Sequence, residues 1–208
     1  MGLNTELIPA KDHGSRRLLV VLHGLGDSRE GYRWLTGALD LPWLNILLVD
    51  APDQYYGGFS WYDYAGDALP GVERSRKLLT SLVEELPAKG FPADETMLFG
   101  FSQGCLMTLE TGLRLIHPLA GLIGVSGYVT DAERLVREMS PGAKSRPVLV
   151  THGTLDPLIP CAKARQQMAA LQAAAVPLEW REFRKEHTIV DEEVRLFRDF
   201  IGRCLKPA

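Results

Sequence analysis

Thr96-Met97-Leu98-Phe99-Gly100-Phe101-Ser102-Gln103-Gly104-Cys105-Leu106-Met107-Thr108-Leu109-Glu110 runs from an apolar, strand-like segment through a G-x-S-x-G pentapeptide into a helix-like one. A serine at a sharp turn from strand to helix is the arrangement of a nucleophile elbow, in which the hydroxyl stands clear of the sheet. Gly100 and Gly104 have a steric reason to flank it, because so tight a turn leaves little room for side chains two residues to either side of Ser102. The pentapeptide alone fits a loop serine between glycines equally well. Its surroundings decide.

Outward from the elbow, short runs rich in branched residues alternate with helical patterns. Residues 17–22, 45–50, 96–101, 120–126, 147–152 and 178–183 read as strands, and their apolar continuity predicts burial on both faces. Leu78, Leu79, Leu82, Val83 and Leu86 mark one helix; Leu106, Leu109, Leu113 and Ile116 mark the next; Val190, Val194, Phe197 and Ile201 mark the last. This alternation predicts an α/β fold, one domain over residues 1–208, with a mostly parallel sheet, helices on both faces and ligands at the carboxyl ends of the strands. There is no internal repeat, low-complexity tract or linker.

Composition narrows the function. The net charge of -3 comes from 23 basic and 26 acidic residues interspersed along the chain, so no field attracts polyanions and nucleic acid is not an expected partner. No stretch approaches the roughly 20 apolar residues of a membrane span. Met1-Gly2-Leu3-Asn4-Thr5-Glu6 is neither a signal peptide nor an acylation signal, since Glu6 stands where a hydroxyl residue is needed. A cytoplasmic protein is expected. Cys105, Cys161 and Cys204 are widely spaced and odd in number, which fits reduced thiols rather than a disulfide framework or a zinc site.

A serine hydroxyl needs a neighbouring base, and the base needs an orienting acid. In a fold of this class the partners follow the serine in the order acid, histidine, each in a loop beyond a strand. The stretch Thr151-His152-Gly153-Thr154-Leu155-Asp156-Pro157-Leu158-Ile159-Pro160 offers Asp156, and Arg184-Lys185-Glu186-His187-Thr188-Ile189 offers His187. The other histidines read otherwise. His13 and His117 fall in polar surroundings, and His23 and His152 precede Gly24 and Gly153 at strand ends, where an imidazole more often ties a loop by hydrogen bonding. Leu22-His23-Gly24-Leu25-Gly26-Asp27-Ser28 adds a loop whose glycines free the backbone, so the N–H groups of Leu25 and Gln103 are expected to form an oxyanion hole, Gln103 at a helix N-terminus that favours an anion. Asp27, three residues before Glu30, reads as a capping box for the next helix.

Together with Trp61-Tyr62-Asp63, these motifs resemble, in order and over nearly the whole chain, the phospholipase/carboxylesterase family that includes the acyl-protein thioesterases. The resemblance implies an α/β-hydrolase fold, hydrolysis of carboxylic esters or thioesters, and a catalytic triad of Ser102, Asp156 and His187. One departure stands out: Glu186 occupies the position before the histidine where the family commonly has glycine, and we read its side chain as pointing to solvent. The expected mechanism is attack by Ser102 on the acyl carbonyl with His187 as base and Asp156 as its orienter, an acyl-serine intermediate, and release by water. It needs no cofactor and no metal. A histidine base works only when uncharged, so activity is expected at neutral to alkaline pH.

Substrate choice is less defined by the residues. The segment from Pro52 to Pro70 is too aromatic for a solvated loop and too broken by glycine for a strand, and it follows a strand carboxyl end, where a substrate wall belongs. Phe59 and Trp61, with Leu158, are the candidate substrate-binding residues, although Trp61 and Tyr62 fit loop packing equally well. About 20 residues separate the strands near Ser126 and Pro147, too few for a large lid domain, so the site is expected to be open. Short to medium carboxylesters lead, with long-chain acyl-protein or lysophospholipid substrates as the alternative and a non-catalytic acyl-binding protein as the alternative of another class. Hydrolysis and transacylation are not separable here, and neither are monomer and homodimer. Cys105, one turn into the helix, reads as a core thiol.

Overall fold

A computed structural model of the protein describes residues 2–205; Met1, part of the N-terminal stretch read above, lies outside them, as do residues 206–208. The elements in chain order are β1 (Thr5–Ile8), β2 (Leu18–Leu22), α1 (Trp34–Leu39), β3 (Asn45–Val49), β4 (Asp53–Tyr55), β5 (Gly58–Ser60), α2 (Ala68–Glu85), β6 (Thr96–Phe101), α3 (Gln103–Gly112), β7 (Gly121–Val125), α4 (Ala132–Glu138), β8 (Val148–Gly153), α5 (Cys161–Ala173), β9 (Leu178–Phe183) and α6 (Asp191–Cys204). Seven strands form one sheet in the order β1-β3-β2-β6-β7-β8-β9, parallel except for β1.

The apolar strand runs follow from helices covering both faces. Along β2, Leu18, Val20 and Leu22 belong to the core on one face of the sheet, which also takes in Val72 and Leu79 of α2, Leu106 and Leu109 of α3, Leu135 of α4 and Met168 of α5. The alternate residues Leu19 and Val21 pack with Leu35 and Leu39 of α1 and with Val194, Phe197 and Ile201 of α6. Each such fully buried Leu or Val stabilises the fold by roughly 1.5–3 kcal/mol relative to exposure. Among the described residues no helix is long and apolar enough to cross a membrane.

Three elements differ from the sequence reading. The edge strand β1 is additional: its Thr-Glu-Leu-Ile alternates between exposed and half-buried, without the continuous apolar signature of the inner strands. The segment after Pro52 does form strands, a hairpin of β4 and β5 with Gln54 opposite Phe59. Its two-residue turn, Tyr56 and Gly57, has positive φ at both positions (43° and 90°), the backbone that suits the twist of a tight hairpin. Helix α3 stops at Gly112 rather than continuing to Ile116, which is 79% exposed. The buried Arg146 guanidinium donates to the carbonyls of Gly112, Leu115 and His117 and so satisfies the chain where the helix has ended.

The parallel strands bring their carboxyl ends to one edge of the sheet. From β2 the chain goes to β3 on one side and later returns to place β6 on the other. The loops after β2 and β6 therefore diverge at a topological switch point, where a crevice opens. Between β7 and β8 lie α4 and the short turn Pro141–Lys144, and among the described residues no lid domain covers that crevice.

Candidate active site

Ser102 sits between β6 and α3 with φ 55° and ψ −115°, a conformation that L-residues seldom adopt. The turn is held by packing too close for side chains: a Cβ on Gly100 would overlap the Gly104 carbonyl oxygen, and one on Gly104 would overlap that of Leu22. The Ser102 N–H is tied to Val125 O at 2.9 Å. The hydroxyl is thereby aimed at the loop after β9, where His187 Nε2 lies 2.9 Å from Ser102 Oγ.

The other ring nitrogen, His187 Nδ1, lies 2.7 Å from Asp156 Oδ2. A neutral ring that donates Nδ1–H to the carboxylate presents the Nε2 lone pair to the hydroxyl, as a general base requires. Asp156 Oδ1 accepts the N–H groups of Leu158 and Ile159, both at 2.9 Å. Burial works against the Asp156 charge, but the Ile159 N–H, His187 and the Leu158 N–H outweigh it and hold the carboxyl below its ordinary value. Phe101 packs against the His187 ring, with centroids 4.9 Å apart.

His152 and His23 do what loop-fixing imidazoles do. His152 is fully buried, its Nε2 lies 2.9 Å from Ile159 O, and its ring stacks on Trp180. His23 Nε2 accepts the Ala51 N–H, and its Nδ1 lies 2.6 Å from Gly24 O. Desolvation lowers the pKa of both, so both are held neutral. Burial pushes the Cys105 thiol up to about 12, consistent with an inert core thiol. Glu186 is exposed.

A cleft of about 490 Å³ opens over Ser102 and His187, lined further by Leu25, Gln103, Tyr62, Tyr128, Leu158 and Lys163 among others. Among the described residues, neither the Leu25 nor the Gln103 N–H has a backbone partner in the turns and loops. Leu158, 64% exposed, stands on the rim.

Phe59 and Trp61 are not among the cleft-lining residues, which corrects the sequence reading. Trp61 is fully buried, with its indole N–H donating to His23 O at 2.9 Å. Phe59 braces the loop after β2 through two backbone bonds, Gly26 N to Phe59 O and Phe59 N to Asp27 O, each 2.9 Å. The wall itself is Tyr62, whose hydroxyl lies 3.2 Å from that of Tyr128. Tyr62 is itself only 1% exposed, so it belongs to the core as Trp61 does and reaches the cleft from there. The Gln103 side chain holds this pair by accepting from Trp61 N at 2.9 Å and donating to Tyr62 O at 3.1 Å. No sequence signal marked that clamp, nor Tyr128 and Lys163 in the lining.

Asp27 also differs from its expected role. Its carboxylate accepts the N–H of Ser28, Ser28 is the N-cap of the following 3₁₀ turn without a side-chain bond, and Glu30 pairs with Arg33. Asp27 thus lines the cleft instead of capping a helix.

A parallel sheet whose elbow serine, histidine and aspartate gather at the strand carboxyl ends defines a hydrolase of the α/β-hydrolase class. The sequence profile of the phospholipase/carboxylesterase family matches residues 3–205. Acyl-protein thioesterase 1 of Schizosaccharomyces pombe is 31% identical over 176 residues, 76% of this chain and 76% of the relative. Acyl-protein thioesterase 1 homolog 2 of Dictyostelium discoideum is 34% identical over 178 residues, 76% of this chain and 78% of the relative. Among solved structures, esterase PE8 superposes with a TM-score of 0.89 at 29% identity, covering 99% of this chain and all of that one (100%). The Bacillus cereus carboxylesterase shares the fold, with a TM-score of 0.82 at 19% identity over 97% of this chain and 94% of that one. The chain belongs to the phospholipase/carboxylesterase family and is a hydrolase of the esterase and thioesterase kind.

Proposed function

We propose that the protein cleaves carboxylic esters of short to medium acyl chain through an acyl-Ser102 intermediate. The observation that carries this reading is the chain of contacts from Asp156 Oδ2 through His187 to Ser102 Oγ, at 2.7 and 2.9 Å, at an open cleft. Ser102 Oγ attacks the acyl carbonyl while His187 Nε2 takes its proton. Asp156 keeps the ring in the tautomer that accepts there and stabilises the imidazolium. The N–H groups of Leu25 and Gln103 bind the oxyanion, each such donor being worth about 100-fold to 1000-fold in rate. His187 then returns its proton to the leaving alcohol or thiol, and water activated by the same ring releases the acid.

The Tyr62 and Tyr128 hydroxyls, 3.2 Å apart, interrupt a lining that is otherwise mainly apolar, which supports an acyl slot of limited length. A second reading, removal of long acyl groups from protein cysteines, is supported by the acyl-protein thioesterases among the relatives and by the lack of a lid domain. A reducing, cytoplasmic setting fits either, given three free cysteines.

The test is the hydrolysis rate across p-nitrophenyl esters from acetyl to palmitoyl, with Ser102→Ala as the blank. A maximum at butyryl to octanoyl supports the first reading. A maximum at palmitoyl transfers the assignment to the second, and inactivity toward every ester defeats both.

A further inference from the structure

Lys185 and Glu186 stand side by side before His187 and have opposite fates. Glu186 projects to solvent, whereas the Lys185 side chain is 1% exposed. Its ammonium lies 2.7 Å from Glu193 Oε1, 2.6 Å from Thr188 O and 3.1 Å from Ser126 Oγ. The ammonium thus donates hydrogen bonds to Thr188 O and Ser126 Oγ and pairs by charge with Glu193.

Those acceptors surround the base. Thr188 immediately follows His187. Ser126 directly follows β7, and its neighbour Val125 holds the N–H of Ser102. Glu193 lies in the first turn of α6, where its other oxygen caps Val190 N at 3.0 Å. The Lys185 carbonyl in turn accepts the N–H of Leu155, next to Asp156, at 3.1 Å. The buried cation therefore joins the residues on both sides of His187 to the strand end beside the elbow and to the last helix, while the Lys185 backbone meets the acid's loop.

Stability alone does not account for such a group. Burial lowers the pKa of Lys185, with Glu193 opposing that effect, so the ion pair carries a desolvation cost. Replacing a buried ion pair by apolar side chains of similar volume is often neutral or stabilising, so its best-attested use is to fix one arrangement among several. We propose that Lys185, paired with Glu193, is a positioning residue that fixes the loop 184–188 so that His187 reaches Asp156 and Ser102 together. The inference rests on His187 being the base. It also accounts for a loop that does without glycine before the histidine: its geometry is set by an ion pair beneath it.

The decisive variant is Lys185→Met with Glu193→Gln, which removes both charges while the glutamine amide can still cap Val190. Thermal unfolding is expected to stay near that of the wild type and KM for p-nitrophenyl butyrate within about twofold, while kcat falls roughly 10-fold to 100-fold, the scale of an ångström of misplacement. The low-field proton resonance of the Asp156–His187 hydrogen bond is expected to broaden or vanish, which a merely stabilising ion pair would not cause. A folded double variant with wild-type kcat and an intact resonance overturns the proposal. Ser126→Ala tests it without a charge change: a several-fold drop in kcat at constant KM supports it, and wild-type kcat overturns it. His187→Ala is assayed alongside. Retained activity there defeats the catalytic reading itself, whereas an inactive His187→Ala beside unaffected Lys185 and Ser126 variants defeats only the role of Lys185.

Discussion

The strand-end loops that carry Ser102, Asp156 and His187 contrast with residues 53–67, which brace and wall the cleft. For the serine and the acid, orientation follows largely from constraints acting over a few residues: Ser102 is turned out by φ 55° between two glycines that cannot carry a Cβ, and Asp156 is oriented by the N–H groups two and three residues on. In the wall, position follows from distant contacts. Trp61 and Tyr62 are buried neighbours of similar character, and only Tyr62 also lines the cleft, with Gln103 and His23, about 40 residues away, holding the backbone and the indole. The contrast teaches that in this protein the serine and the acid are oriented largely by their neighbours in the chain, whereas the shape of the substrate site is encoded by packing.

If that division holds, substitutions on the two sides separate rate from stability and from selectivity. The largest effect belongs to the chemistry: His187→Ala is expected to lower kcat/KM for p-nitrophenyl butyrate by about 10⁴-fold or more with little change in the unfolding midpoint. Trp61→Ala should act through the fold, at about 3–5 kcal/mol in urea unfolding for a large buried aromatic, with kcat near normal in the remaining folded enzyme. If Trp61→Ala is instead stable and altered in chain-length preference, the wall has been assigned to the wrong residue. Leu158→Ala sharpens the comparison from the other side. As an exposed rim residue it should change stability by no more than about 0.5 kcal/mol, while KM rises several-fold for butyryl and longer esters and not for acetyl.

The smallest effect is on acid stability. A carboxyl whose folded pKa is depressed contributes stability that is present above its unfolded pKa and is lost as pH falls through the folded one. Asp156 is such a group, its burial outweighed by the Ile159 N–H, His187 and the Leu158 N–H. Asp156→Asn is therefore expected to lose stability less steeply than the wild type below the ordinary carboxyl value of 3.8, read as urea midpoint against pH. An unchanged slope would remove Asp156 from the account of acid unfolding.

The same contrast explains what the sequence revealed. The inner strands were legible because burial on both faces leaves an uninterrupted apolar run, as in Leu18–Leu22. The elbow, the acid loop and the terminal histidine were legible because turn sterics and the need for a base restrict which residues can stand there. The edge strand β1 was not, since half-exposed alternation over four residues resembles a loop. The hairpin was misread because Tyr56-Gly57, which reads as a break, supplies the positive φ that a two-residue turn needs. The choice between Trp61 and Tyr62 depended on a side chain forty residues distant, and Lys185, adjacent to the more conspicuous Glu186, gave no pattern that distinguishes a buried lysine from a solvated one.

The central claim is that Ser102 is a nucleophile activated by His187. Reaction with a fluorophosphonate probe, followed by mass spectrometry of the digested protein, tests it most directly. A single adduct on the peptide containing Ser102, absent in Ser102→Ala and formed far more slowly in His187→Ala, is the predicted result; labelling at another residue, or at Ser102 with equal speed in His187→Ala, would contradict it.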